Sequence, residues 1–480
     1  MNSIKNDAAL TDAELPDIQG LVTSGYGNLI CSRFVFLQIQ QPEQARLWLA
    51  KILPEITTSA RRPRNTPKPV YAMNIAFTYE GLLALGVPAD ASGIMFQREF
   101  QEGMASGERP RALGDTGESD PTQWDMGGPQ PHNEPFHLLL LCYALNDKIL
   151  NAKYAELVPM FTAGGLKVVY EQDTGRIGDK EPFGFRDGIS QPFIEGTPGK
   201  IPPGEDPINV GEFLLGYRNG YDTITPSPLL PATLDIHNVL PSAPTSAANK
   251  DFGKNGSFLI FRKLGQDVQG FWRYIESQTT ELGMEATKAN KEWLGAKIVG
   301  RWPDGAPLTL APTHHDAELD TANNFEFMPT DPDGLVCPIG AHIRRANPRD
   351  SLLPNPAKSR LISSRHRLIR RGRHYEDHRP SGETWEPSGV EHGLCFIALN
   401  ADIQRQFEFV QQTWLVSKKF NGLSDETDVL IGDNDGNGFM SLPGEPVRQR
   451  LCGVPRFVRV RGGGYFFLPG MRALRFLSGS

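Results

Sequence analysis

Cysteine is scarce. The 480 residues hold five, Cys31, Cys142, Cys337, Cys395 and Cys452, scattered and odd in number, with no pair at CxxC spacing. Disulfides are therefore not expected, and a reducing compartment fits. Long apolar runs are missing too, so no segment reads as a membrane span. No charge sign dominates: the net charge is −7, which argues against a general nucleic-acid binder. The opening stretch, MNSIKNDAALTDAELPDIQG, has no apolar leader core and no twin arginine. The expectation is a cytoplasmic chain with a frayed, polar start.

What is present is a recurring shape. LICSRFVFLQIQQPEQARLWLAKIL, GSFLIFRKLGQDVQGFWRYIESQ and HGLCFIALNADIQRQFEFVQQTWL each run from a β-rich stretch through a polar turn into apolar residues spaced three and four apart. In the first, Ala45, Leu49 and Ile52 share a face; in the last, Ile403, Phe407 and Val410 do. VYAMNIAFTYEGLLALGVP, FHLLLLCYALN and GGLKVVYEQDTGRI add further strands. This order predicts an α+β fold of antiparallel sheets with helices packed on one face, in two units. PSPLLPATLDIHNVLPSAPTSAANKDFG reads as a long loop or linker. It divides the chain into residues 1–230 and 231–480.

Ten histidines allow a metal or cofactor site. His314 and His315 are adjacent, but no further ligands stand at zinc spacing, so a polar loop is expected. GDNDGNGFM resembles a calcium loop with Asp433, Asp435, Asn437 and Gly438. Its twelfth position is Gly444 rather than Glu, so an Asx/Gly turn is expected instead.

Three other stretches carry more. In CPIGAHIRRANPRD, His342 follows small residues and precedes Arg344, Arg345 and Arg349. Pro338 and Pro348 limit any helix there to about two turns. Composition alone favours a surface basic turn. In SRLISSRHRLIRRGRHY, Arg365, Arg367, Arg370, Arg371 and Arg373 interleave with apolar pairs. A solvated strand or an RNA-like patch would look the same. Alternation along a strand, however, sends at least one cation inward, where it needs an anion. In EPFGFRDGISQP, Asp187 follows Phe183 and Phe185. Read alone, it is an Asx turn before Gly188. Arg186 beside it should point the other way and lie outside any shared pocket. An inward arginine, a histidine among small residues and an acid flanked by apolar side chains can together furnish one buried site.

These stretches resemble blocks of the dye-decolorising peroxidases. FRDGISQP is similar to the family's GxxDG-type motif, CPIGAHIRRANPR to its proximal-histidine segment, and RLIRRG to the segment with its distal arginine. GLCFIALNADIQRQFEFVQQTW and RGGGYFFLPGMRALR resemble blocks of the longer-chain members. The five follow the family order from about residue 180 onward. The resemblance implies two ferredoxin-like units, with haem b, one per chain, held mainly by the second. It implies His342 as axial ligand to haem iron, and Asp187 and Arg370 on the opposite face. Arg371 competes with Arg370, because a slip of one residue changes the face. Arg349, Leu394 and Phe396 are implied as cofactor contacts, the last two forming an apolar distal wall. For the acid behind His342, Asp402, Glu408 and Asp428 are candidates.

The implied chemistry suits these residue types. Imidazole leaves one axial position of ferric haem open for hydrogen peroxide. A carboxylate on the other ring N–H makes it a stronger donor. Asp187 can take and return the peroxide proton, and Arg370 can stabilise the charge on the leaving oxygen. Burial should raise the pKa of Asp187 and the guanidinium should lower it. Oxidation of phenols and dyes is expected to favour acidic pH. Bulky donors would need a relay, for which Trp272, Trp302, Trp385, Trp414, Tyr274 and Tyr375 are candidates. The expected function is a haem peroxidase acting on hydrogen peroxide and aromatic reducing substrates, without nucleic-acid or membrane partners. The alternative is haem storage, transport or iron release, with incidental peroxidase activity.

Overall fold

The computed structural model describes residues 10–63, 65–89, 96–175, 178–203, 205–244, 246–379 and 389–479. Four strands come from the first part of the chain: β1 (Cys31–Ile39), β2 (Tyr71–Phe77), β3 (Leu138–Ala144) and β4 (Leu166–Gly175). Four more come from the second: β5 (Ser257–Gln266), β6 (Arg373–His378), β7 (Val390–Asn400) and β8 (Val458–Leu468). Each set has a ferredoxin-like order, β2-β3-β1-β4 and β6-β7-β5-β8, with antiparallel neighbours. The α+β expectation of two ferredoxin-like units holds.

The two sets are not separate sheets. β4 pairs with β6 through Gly175 and His374, and β8 pairs with β2 through Phe467 and Phe77. The result is one closed barrel, which leaves no long edge exposed. Side chains on alternate strand positions divide between its two faces. Phe34, Phe36, Leu139, Leu141, Phe261 and Phe466 fill the inside. Outside, α1 (Pro42–Ile52) and α2 (Asp147–Ala163) cover Val35, Leu37, Leu138 and Leu140 with Trp48, Leu49 and Phe161. β3 is buried on both faces, which explains its unbroken run of four leucines. Each such leucine contributes roughly 1.5–3 kcal/mol by leaving water.

The second set carries α3 (Val268–Glu281) and α4 (Lys288–Val299). Asp267 starts α3 by accepting from Gly270 N–H, and Thr287 starts α4 by accepting from Asn290 N–H. These helices pack Phe271, Ile275, Leu294 and Ile298 against Phe183, Phe185, Trp302 and Phe327 in a further apolar cluster. The short α5 (His342–Ala346) and then α6 (Pro356–Arg365) follow.

Two expectations change. The stretch expected as a loop between the units contains a small sheet of Leu229–Pro231, Ser242–Ala243 and Ser246–Asp251. The basic segment is not a strand over its first half. Asn355 accepts from Lys358 N–H and Pro356 opens α6, which runs to Arg365; the extended residues that pair with β7 come only after it, Ile369–Arg370 and then β6 from Arg373. An asparagine N-cap followed by proline at the first helical position is a strong helix start.

Candidate active site

A cavity of about 310 Å³ lies against the outer face of the second strand set. Register explains its floor. Arg262 and Leu264 on β5 stand opposite Phe396 and Leu394 on β7, and all four line the cavity. The intervening residues, Lys263 and Cys395, are buried on the other face.

His342 lines the same cavity from the first position of α5. The surface-turn reading of its segment is wrong. Arg344 and Arg345 are completely buried. Arg344 binds Asp331 and the carbonyls of Cys337 and Asp331. Arg345 binds the carbonyls of Trp414, Glu426 and Ser417. They lock the histidine helix to three loops, and the chelated carbonyls offset the cost of burying charge.

Of the three acids considered behind His342, Asp428 occupies the position. Its Oδ2 lies 3.0 Å from His342 Nδ1, and its Oδ1 accepts from the N–H groups of Leu430 and Ile431. Burial raises the Asp428 pKa, but His342, Arg345 and these amides more than reverse that, leaving it below the usual carboxylate range. An ionised carboxylate only accepts, so Nδ1 carries the proton and Nε2 remains for the cavity. Asp402 instead caps the wide π-type helix at Ile403–Glu408 by accepting from Arg405 N–H. Glu408 is taken by Arg109 and the Tyr465 hydroxyl.

On the cavity wall, Arg370 Nη1 donates to Asp187 Oδ1 at 3.1 Å. The same oxygen accepts from Gly188 N–H at 2.6 Å, one residue on rather than the two of an Asx turn. Their side chains are 38% and 36% exposed, so the pair is open to the cavity. Burial pushes the Asp187 pKa up. Arg370 and the Gly188 amide, with smaller help from His374 and His342, bring it below the ordinary value. Arg371 turns away, donating to the carbonyls of Leu21 and Val22. Arg186 is held by Asp179 and the carbonyl of Asp304, yet it contributes to the cavity wall, contrary to expectation.

Arg349 lines the cavity as well, stacked 4.1 Å from the Phe325 ring. Its backbone is left-handed, φ 53°. Ser359 and Ser363 hydroxyls hold its carbonyl, the over-determination such a conformation requires. Beside it stand two cations the sequence reading did not single out as ligand contacts, Arg301 and Arg367. Burial, with Arg349 and Arg370 nearby, lowers the Arg301 pKa to about 9. Arg367 pairs with Glu205 at 3.2 Å, while one of its terminal nitrogens, Nη2, is buried without a partner. Arg301 and Arg349 bind carbonyls and Asn323, and neither has an ion-pair partner among the described residues. The only signal for Arg367 was its place in the arginine-rich segment; Arg301, in GRWPDG, had none.

This lining suits a flat, largely apolar dianion bound through a metal. It offers one imidazole backed by an acid, apolar walls at Leu264, Leu394, Phe396 and Val458, and guanidiniums lacking carboxylate partners. Haem, with its two propionates, fits that donor set.

The other motifs lie elsewhere. His315 Nε2 binds Asp320 at 2.6 Å, and among the described residues no group of three His, Cys, Asp or Glu could hold a metal ion. Asp435 makes an Asx turn to Asn437 N–H, and Asp433 pairs with Arg456. Of the relay candidates, Trp302, Trp414 and Tyr375 are buried, Trp272 and Tyr274 are partly buried, and Trp385 lies outside the described residues.

A family model described as the DyP dimeric alpha+beta barrel domain matches residues 17–175. The chain is 29% identical to the dye-decolorizing peroxidase of Mycena epipterygia, covering 92% of this chain and 82% of that protein. It is 29% identical to dye-decolorizing peroxidase AauDyP1 of Auricularia auricula-judae, covering 97% and 87%. The crystal structure of a fungal DyP-type peroxidase from Auricularia auricula-judae aligns with TM-score 0.75 at 27% identity, covering 97% and 99% of the two chains.

Proposed function

Because the chain belongs to the dye-decolorising peroxidase family, and is accordingly a haem-dependent peroxidase, we propose that it binds one haem b per chain through His342 and oxidises phenols and dyes with hydrogen peroxide. The observation that carries this reading is the arrangement of the cavity: an imidazole backed by Asp428 and an acid–guanidinium pair, Asp187 and Arg370, share one enclosed space.

Haem, when bound, would supply the redox chemistry by which peroxide oxidises a donor. The chain's own residues do the rest. His342 Nε2 would hold the haem iron, with Asp428 fixing the ring and strengthening it as a ligand by accepting Nδ1–H. Asp187, held ionised by Arg370, takes a proton from the peroxide and gives it to the departing oxygen. Arg370 donates hydrogen bonds where negative charge grows on that oxygen. One peroxide, with two electrons and two protons from donors, gives two waters. Leu394 and Phe396 narrow the approach to about the size of peroxide. Arg349, with Arg301 and Arg367, would meet the propionates. With the division of the units at residues 230 and 231, the first lends Asp187 and the second the remainder.

Storage, transport or iron release is the weaker reading, since an ionised Asp–Arg pair has no task in holding haem. A cytoplasmic setting is part of the proposal, supported by five cysteines that are all unpaired. No described helix is long and apolar enough to cross a membrane.

The purified protein should show a Soret band, one haem b per chain by pyridine haemochrome assay, and steady turnover of peroxide with a phenol or dye. No Soret band would sink the reading; a Soret band without turnover would favour storage. Between the adjacent arginines, Arg370→Leu is expected to slow the reaction with peroxide by on the order of 10²–10³. Arg371→Leu should leave that rate unchanged and cost about 1–3 kcal/mol of stability, because the carbonyls of Leu21 and Val22 lose their donors. Stopped-flow mixing with peroxide and urea unfolding separate the two.

A further inference from the structure

Asp187 is carried by a turn, not by a strand or helix, so something must fix that turn. Glu181 N–H donates to Phe185 O at 2.8 Å, and Gly184 N–H to Glu181 O at 2.8 Å. Gly184, at φ 97°, makes the reversal. Within this closed turn the Glu181 side chain folds back on its own backbone. Its Oε1 accepts from Phe185 N–H at 2.9 Å and its Oε2 from Phe183 N–H at 3.0 Å. The same Oε2 accepts from Gln266 Nε2 at 2.9 Å. Gln266 ends β5, two residues beyond Leu264 on the cavity floor. One carboxylate thus closes the turn and ties it to the barrel.

We propose that Glu181 is a positioning residue for Asp187: its carboxylate gathers three N–H donors and so sets where the Asp187 carboxyl stands over the cavity. The inference rests on the reading that Asp187 moves the peroxide proton. The neighbouring contacts agree. Phe183 and Phe185, whose amides Glu181 holds, pack on Phe271 and Trp272. Trp272 Nε1 secures the carbonyl of Phe183. Beyond the turn, Arg186 N–H binds Pro303 O, and Asp187 N–H binds Asp179 O. The chain is therefore pinned from Glu181 up to Asp187 itself. Burial raises the Glu181 carboxyl to about 7, the three donors pulling it down and the Asp187 charge pushing it up. Its charge bears on Asp187 as well as its hydrogen bonds.

Glu181→Gln retains the shape but offers one acceptor oxygen and one NH₂ group. An NH₂ must then face a backbone N–H or the Gln266 amide, donor against donor. The turn has to shift, and displacements of about 1 Å at a reacting group cost on the order of 10²-fold in rate. Expected for the haem-loaded variant is an unchanged Soret band, an unchanged KM for the dye, and a loss of that order in the second-order rate with peroxide. The comparison is made at pH 8, where the wild-type Glu181 carboxyl is ionised and holds its three donors. Gln266→Met, which removes one donor and leaves the acid, should show a smaller loss of the same kind.

A wild-type peroxide rate in Glu181→Gln at pH 8 would overturn the inference. If that variant fails to hold haem, Gln266→Met decides: a slowed peroxide reaction with haem retained supports the inference, and an unchanged one overturns it. Asp187→Asn run alongside separates the two layers. If it retains the wild-type rate, the role of Asp187 fails; if it loses the rate while Glu181→Gln does not, only the role of Glu181 fails.

Discussion

Asp187→Asn is expected to lower the second-order rate with hydrogen peroxide by about 10²–10⁴, the contribution typical of a positioned proton-transfer group, while leaving the Soret band in place. The substitution is close to isosteric. Its amide oxygen can still accept from Gly188 N–H and from Arg370, so the turn and the guanidinium keep a partner. What disappears is an atom able to take a proton. The pH dependence of the wild type follows from the same contacts. Burial alone would raise the Asp187 pKa, but Arg370 and Gly188 hold it below the ordinary value. The base is the ionised form, so the peroxide rate should persist down to about pH 4, the normal carboxylate range, and fall below it as the carboxylate protonates. That is the property an enzyme working in acid requires. Stopped-flow rates from pH 3 to 8 check both points. A variant as fast as wild type would remove Asp187 from the mechanism.

The parts of the site legible in the sequence were those held in a short window. His342, Asp187 and the RRG arginines were assigned through blocks that resemble the family; read alone they suggested a surface turn, an Asx turn and a solvated strand. The choice between Arg370 and Arg371 was not local. It depends on which residue of the pair faces outward from Ile369–Arg370 where it meets β7, and a shift of one residue reverses the answer. The acid behind His342 was hidden for the same reason. Asp402, Glu408 and Asp428 differ only in what the fold brings to them: a helix start, an arginine with a tyrosine, and an imidazole. Strand–helix periodicity predicted two α+β units, and the family resemblance implied that they are ferredoxin-like. It could not predict their fusion, because each seam rests on a single registered pair, Gly175 with His374 and Phe77 with Phe467. The helix over Pro356–Arg365 was readable from Asn355 and Pro356. The density of arginine drew the reading toward a strand instead. Glu181 stood in plain view in EPFGFRDG, but nothing in the window says that its side chain folds back onto the amides of Phe183 and Phe185.

The other large effect concerns His342. A second histidine, His366, lines the cavity, but it is held by the Arg405 carbonyl and stacked on Phe409, whereas His342 has a carboxylate behind it. His342→Ala should reduce haem retained through purification to about a tenth or less, as expected when the protein's bond to the metal is lost. The substitution leaves a space the size of the ring beside Asp428. That acid keeps the amides of Leu430 and Ile431 on Oδ1 but loses the donor on Oδ2. Exogenous imidazole can supply that missing N–H and a free nitrogen at once. Adding it with haem should restore a Soret band, and with it part of the peroxide reaction, since Asp187 and Arg370 are untouched. Asp428→Asn tests the support behind the ring. Its amide still faces Nδ1 but no longer bears charge, so a loss of about 10–100-fold in peroxide activity is expected, with haem present. If His342→Ala binds haem as the wild type does, the axial bond comes from another residue and the assignment of the whole cavity falls with it. If Asp428→Asn is indistinguishable from wild type, the 3.0 Å contact to Nδ1 orients the ring without strengthening it as a ligand.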